Sequence, residues 1–135
     1  MPTRREIIRS FIPASPLVGH LGIRVQALEP DSAELVLPFD PKLATMDDIV
    51  HGGALAALID TAGMAAAWSD DEEPDALAGA TVSMTVDYVA AARGRDLTAT
   101  AGVARRGRSL CFVDVRVAEP DGRLVAKGSL VYRFG

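Results

Sequence analysis

The chain has one cysteine, Cys111, among its 135 residues. That excludes an intrachain disulfide, gives no thiol pair for a metal, and points to a reducing, cytoplasmic setting. Basic residues are not in excess: 14 Lys and Arg stand against 18 Asp and Glu, for a net charge of −4. That balance argues against a general nucleic-acid binder, although a local basic patch for a phosphorylated ligand stays open. No apolar run of about 18 residues is free of charge, so no membrane-spanning helix is expected. The N-terminus, Met1-Pro2-Thr3-Arg4-Arg5-Glu6-Ile7-Ile8-Arg9, is basic but is not followed by an apolar secretory segment. It predicts a short amphipathic surface helix with its arginines on the solvent face. There is no internal repeat and no low-complexity linker. A single domain over 1–135 is expected, with 1–16 as an N-terminal extension.

What is present is one carboxylate inside an apolar stretch. Residues 53–68, Gly-Ala-Leu-Ala-Ala-Leu-Ile-Asp-Thr-Ala-Gly-Met-Ala-Ala-Ala-Trp, carry Asp60 as their only charge. The alanine content predicts a helix, and a helix apolar nearly all round is normally buried. Asp60 is therefore expected in the interior, where an unpaired carboxylate is expensive and is kept for a partner or for chemistry. The helix opens at His51-Gly52-Gly53, whose backbone N–H groups are free to face a carbonyl or an anion. Asp60 lies about two turns further on, roughly 11–12 Å along the axis. If the two ends act on one small group, a second copy of the chain must supply one of them.

Around this helix the pattern alternates. A short helix over 3–11 is expected to end at Pro13 and Pro16, with one more turn at 17–21. Strands are expected at 23–28 and 33–37, separated by the turn Glu29-Pro30-Asp31-Ser32, with a loop over 38–50. The acidic run 69–75 reads as a solvated turn closing the long helix. In Thr81–Tyr88 the apolar side chains fall on even numbers, as in a half-buried strand. Segments 97–103, 110–117 and 124–134 follow as strands joined by short turns, including Pro120-Asp121-Gly122. The fold class is α+β: an antiparallel sheet wrapped around one long central helix.

This order resembles the hotdog fold. The combination of His51-Gly52-Gly53 with Asp60 in Leu58-Ile59-Asp60-Thr61-Ala62 is similar to the acyl-CoA thioesterases of the phenylacetate-degradation type. So are Gly94-Arg95-Asp96-Leu97-Thr98-Ala99-Thr100-Ala101 and Arg106-Gly107-Arg108-Ser109-Leu110-Cys111-Phe112-Val113-Asp114-Val115. The resemblance spans about 17–134. It implies hydrolysis of an acyl-CoA thioester with no metal or other cofactor, coenzyme A being part of the substrate. It further implies a homodimer, usually paired into a homotetramer, with the site at the dimer interface. It assigns the Gly52 N–H to polarising the thioester carbonyl and Asp60 of the partner to acting as nucleophile or general base. Thr81 stands where relatives carry a Ser or Thr that orients the water or the carboxylate.

Other candidates are weighed beside these. His51 is a possible base, or packs the helix entry. Gly53 joins Gly52 at the substrate. Where close relatives place Asn and Gly ahead of the His, this chain has Thr45 and Asp48; Thr45 is a candidate to replace part of the Asn, and Asp48 is expected to point outward. Arg106 and Arg108 are candidates for a CoA phosphate, with Arg93 and Arg95 behind them, and Ser109 for the pantetheine or a phosphate. Cys111 alternates with apolar neighbours and reads as an inert core thiol. Alternatives to an acyl-CoA thioesterase are a non-catalytic acyl-CoA binder and a thioesterase acting on acyl carrier protein. A hotdog dehydratase fits less well, since its acid and base stand in a different frame.

Overall fold

In the computed structural model, which describes residues 1–135, helices α1 (Arg4–Ala14) and α2 (Pro16–Leu21) precede a hairpin of β1 (Arg24–Glu29) and β2 (Ser32–Leu37). A 3-10 turn at Pro41–Leu43 leads into a small hairpin, β3 (Ala44–Met46) and β4 (Ile49–Val50). The long helix α3 (Gly52–Ala67) comes next, then β5 (Gly79–Tyr88), β6 (Leu97–Arg106), β7 (Leu110–Ala118) and β8 (Leu124–Phe134). Six strands make one antiparallel sheet in the order β1-β2-β6-β7-β8-β5, curled around α3. No helix is long and apolar enough to cross a membrane.

Alanines and small residues let α3 sit deep in the sheet. Leu58, Ile59, Ala62, Ala65, Ala66 and Ala67 are fully buried against inward side chains such as Leu35, Val113, Val115 and Leu130. Burying Leu58 and Ile59 contributes about 1.5–3 kcal/mol each. The approach is closest at two glycines. A Cβ on Gly63 would stand 2.7 Å from Leu130 Cγ, and one on Gly128 would stand 2.8 Å from Ile59 Cγ2. Cys111 is fully buried in the same core, and burial, partly offset by Arg106, pushes its thiol pKa up. That suits the inert thiol expected from its alternation.

Four expectations change. Helix α1 runs through Pro13 to Ala14, because a proline in the last turn withdraws only an N–H that has little helix left to hold; Pro16 then opens α2. The 38–50 loop contains the 3-10 turn and the β3–β4 hairpin. The acidic run is no free turn: Asp70 accepts from Arg4 at 3.0 Å and lies 3.4 Å from Arg106, and Asp71 pairs with Arg5. Arg4 and Arg5 therefore turn toward the domain, while Arg9 stays on the solvent face as expected. The Arg4 guanidinium also lies 4.2 Å from the centre of the Phe134 ring, and the Arg4 and Arg5 N–H groups donate to Glu72 and Asp70 carbonyls. Pairings some 66 residues apart leave no local trace in a charge pattern. With Ile8 and Ile12 in the main core, α1 packs as part of the domain.

The fourth change is β5. It occupies the sheet edge, and its apolar side chains Val82, Met84 and Tyr88 are exposed in the single chain. Its parity also breaks. Thr81 pairs with Tyr132 but Ser83 pairs with Val131, so Val82 forms a bulge.

The Gly63–Leu130 approach generates a stability prediction. Gly63→Ala should destabilise the protein by roughly 1–3 kcal/mol, since Leu130 is 2% exposed and has no room to yield. Denaturant unfolding with an unchanged m-value checks it.

Candidate active site

The start of α3 is organised by His51. Its Nδ1 accepts from the Gly53 N–H at 2.7 Å, and its carbonyl accepts from the Ala54 and Leu55 N–H groups. His51 is thus the N-cap, and an acceptor Nδ1 puts its ring proton on Nε2. His51 holds the helix entry, one of its two expected roles, with Nδ1 committed. One expectation is corrected here. Gly53 offers no N–H to a substrate; its lack of a side chain matters, since a Cβ there would stand 3.0 Å from His51 Nδ1. The Gly52 N–H is the one donor of the first turn with no acceptor in the chain. It sits beneath Tyr88, whose hydroxyl donates to the Gly52 carbonyl at 3.2 Å, and a Cβ on Gly52 would meet that ring at 3.3 Å. In the sequence Tyr88 stands only as the last apolar position of its strand; its approach to Gly52 is a contact 36 residues apart that no local pattern carries.

Asp60 is not buried, contrary to expectation. Its side chain lies on the stripe of α3 that the sheet leaves open, with Gly53, Ala56, Ala57 and Met64. The sheet cannot close over this side because β5 is its last strand. Thr81 Oγ1 donates to Asp60 Oδ1 at 2.7 Å. The Val82 bulge makes this bond possible: it places odd-numbered Thr81 on the same face as even-numbered Met84 and Val86. Nearby, Trp68 Nε1 donates to Tyr132 Oη at 2.8 Å. Burial raises the Tyr132 pKa, the Trp68 bond opposes the rise, and the Asp60 charge adds to it.

Thr45 lines a groove of about 440 Å³ with Ile49, Gly52, Leu55, Tyr88 and Val89, directly at the helix start. Asp48 turns outward as expected, paired with Arg93 at 3.2 Å. Arg95 approaches Asp121 at 3.6 Å.

The two paired arginine candidates separate. Arg106 donates through Nε and Nη2 to Asp31 and through Nη1 to the Ala67 carbonyl, capping the C-terminus of α3. Its expected phosphate contact gives way to this structural one, because its fork is already filled. Arg108 and Ser109 are exposed in the hairpin beyond, with side chains that have no partner in the chain. Thr81, Tyr132, Cys111 and Arg106 form one row across the sheet, so this hairpin lies at the Asp60 end of the molecule.

The chain thus carries two half-sites, a vacant N–H at one end of α3 and a hydroxyl-supported carboxylate about 12 Å along it. The first suits an oxyanion and the second the activation of a nucleophile. Comparison with known proteins identifies the family. Residues 48–126, more than half the chain, match the thioesterase superfamily model. A protein of Halobacterium salinarum provisionally named an esterase is 35% identical over 91% of this chain and 88% of its own length. The medium/long-chain acyl-CoA thioesterase YigI of Salmonella typhimurium is 26% identical over 93% and 89%. The crystal structure of a thioesterase family protein from Silicibacter pomeroyi superposes with a TM-score of 0.88 at 26% identity, covering 98% of this chain and 99% of that one. The chain belongs to the thioesterase superfamily and is a thioester hydrolase of the hotdog fold.

Proposed function

We propose that the protein hydrolyses acyl-CoA thioesters at a site shared by two copies, with Asp60 of one subunit working against the Gly52 N–H of the other. The observation that carries this reading is the placement of the half-sites at opposite ends of one free edge strand. Asp60 is bonded to Thr81 near the start of β5, and Gly52 lies under Tyr88 at its end. An edge of ten residues with exposed apolar side chains is a ready surface for pairing with another chain. If two β5 strands pair antiparallel about a two-fold axis, the Thr81 end of each meets the Tyr88 end of the other. That brings a carboxylate and a vacant donor to one carbonyl, twice per dimer.

In this mechanism the Gly52 N–H and the positive end of α3 hold the thioester oxygen as negative charge develops. Asp60 takes a proton from water attacking the carbonyl carbon, or attacks that carbon itself. The C–S bond then breaks and the thiolate of CoA leaves and is protonated; the carboxylic acid forms directly where water attacks, and where Asp60 attacks it forms when water cleaves the acyl–Asp60 anhydride and frees the carboxylate. Thr81 holds the Asp60 carboxylate in place. The name of the Salmonella relative supports CoA as the carrier. The His51-Gly52-Gly53 and Asp60 signature favours the phenylacetate-degradation type, and we further propose that two dimers pair into a tetramer. The single buried cysteine suits the cytoplasm. Arg108, exposed and unpaired, is the arginine we assign to the CoA phosphates.

The primary test is free-thiol release from phenylacetyl-, hydroxybenzoyl-, short-chain and medium-chain CoA esters. Asp60→Asn should lower kcat by roughly 10²–10⁴-fold. Thr81→Ala should lower it about tenfold, the scale of one hydrogen bond to a charged group, and Thr81→Ser should restore it. Turnover that survives Asp60→Asn removes the proposed chemistry, and turnover only with acyl carrier protein thioesters replaces the carrier.

Analytical ultracentrifugation at micromolar concentration should give a dimer or a multiple of it. Met84→Asp, at the β5 edge, should yield monomers that have lost hydrolysis; a monomer that retains it rules out a shared site. Arg108→Ala should raise KM for CoA esters more than for truncated pantetheine thioesters, whereas an equal effect on both ends the phosphate assignment.

A further inference from the structure

Beyond the Asp60–Thr81 pair, the same stripe of α3 continues into a pocket that the mechanism does not use. Met64 is one turn past Asp60, and Gly79 lies two residues before Thr81. Between them opens a cavity of about 410 Å³, within the range of ligand pockets. Its walls include Ile7, Phe11, Met64 and Leu77, and Trp68 and Tyr132 lie at its base. No charged residue lines it. Its two side chains with polar atoms bond each other, Trp68 Nε1 donating to Tyr132 Oη at 2.8 Å.

The pocket is built into the fold. The α1 wall is fixed by the Arg4–Asp70 ion pair, by the stacking of Arg4 on Phe134 and by two backbone bonds to the 70–72 segment. At Gly79 the backbone approaches the floor so closely that a Cβ would stand 2.8 Å from Tyr132 Cζ. Any larger residue there would intrude on Tyr132.

We propose that this pocket receives the acyl tail of the substrate, and that α1 with residues 77–79 sets which chain lengths are hydrolysed. The inference rests on the thioesterase reading of the Asp60 site. A thioester presents two arms to a carboxylate at its carbonyl. The CoA arm carries phosphates, whose transfer into an uncharged, largely apolar pocket is prohibitive. The acyl arm carries none, and each methylene buried there tightens binding by about fourfold. The exposed Phe11 and Leu77, 50% and 77% accessible in the empty chain, gain cover from the tail.

The test separates the pocket from turnover. Acetyl-, hexanoyl- and decanoyl-CoA are titrated calorimetrically into the Asp60→Asn protein, which keeps the pocket and stops hydrolysis. Affinity should rise with chain length. Ala78→Trp, at the pocket mouth, should erase at least about tenfold of the decanoyl preference over acetyl, and Phe11→Ala, on an exposed wall, should shift the preferred length. The same variants in the Asp60 background should shift the kcat/KM profile in parallel. Chain-length profiles unchanged in both variants overturn the proposal, as does affinity indifferent to chain length; the apolar lining would then be a surface between copies. Length-dependent binding without turnover on any ester would uphold the pocket and overturn the thioesterase mechanism instead.

Discussion

The close seating of α3 in its sheet is the constraint from which the rest of the molecule follows. Gly63 admits Leu130, Gly128 admits Ile59, and the alanines between them let the sheet approach the helix axis. A wrapped helix needs no polar stripe, which is why its sequence is apolar nearly all round. The same curvature runs out of strands at β5, so one narrow face of α3 stays uncovered. Asp60 stands on that face, and the acyl pocket we infer lies along it.

In the mechanism we propose, the edge strand decides the chemistry. In an isolated chain β5 exposes backbone and apolar side chains, an arrangement that soluble proteins blunt or cover. Here it links the two half-sites: the carboxylate at one end, the vacant N–H at the other. A single helix of fixed rise cannot fold these onto one carbonyl, whereas a two-fold partner can. The Val82 bulge serves the same end. It costs one regular pairing and turns Thr81 toward Asp60.

A charged hub closes the far end of the helix. Arg106 caps the α3 C-terminus through the Ala67 carbonyl and holds Asp31, while Asp70 lies beside both Arg106 and Arg4. These groups are partly sheltered, so their pairing is screened less than that of surface ions. The hub joins the β1–β2 turn, the helix end and α1. In doing so it fixes the pocket wall and withdraws Arg106 from any ligand.

The order of elements, the long helix and its Asp60 were legible in the amino-acid sequence, because periodicity and propensity are local quantities. Cys111 as a core thiol and Asp48 as an outward residue were legible for the same reason. Tertiary structure alone decided the remainder. The bulge that reverses the parity of Thr81 depends on register with β8. The exposure of Asp60 depends on where the sheet ends. Removing Gly53 from the substrate's donors required knowing where the His51 ring turns. Separating Arg106 from Arg108 required partners some 39 and 75 residues away in the chain. Each of these is a contact across the fold, and a single chain read in order carries spacing but not contact.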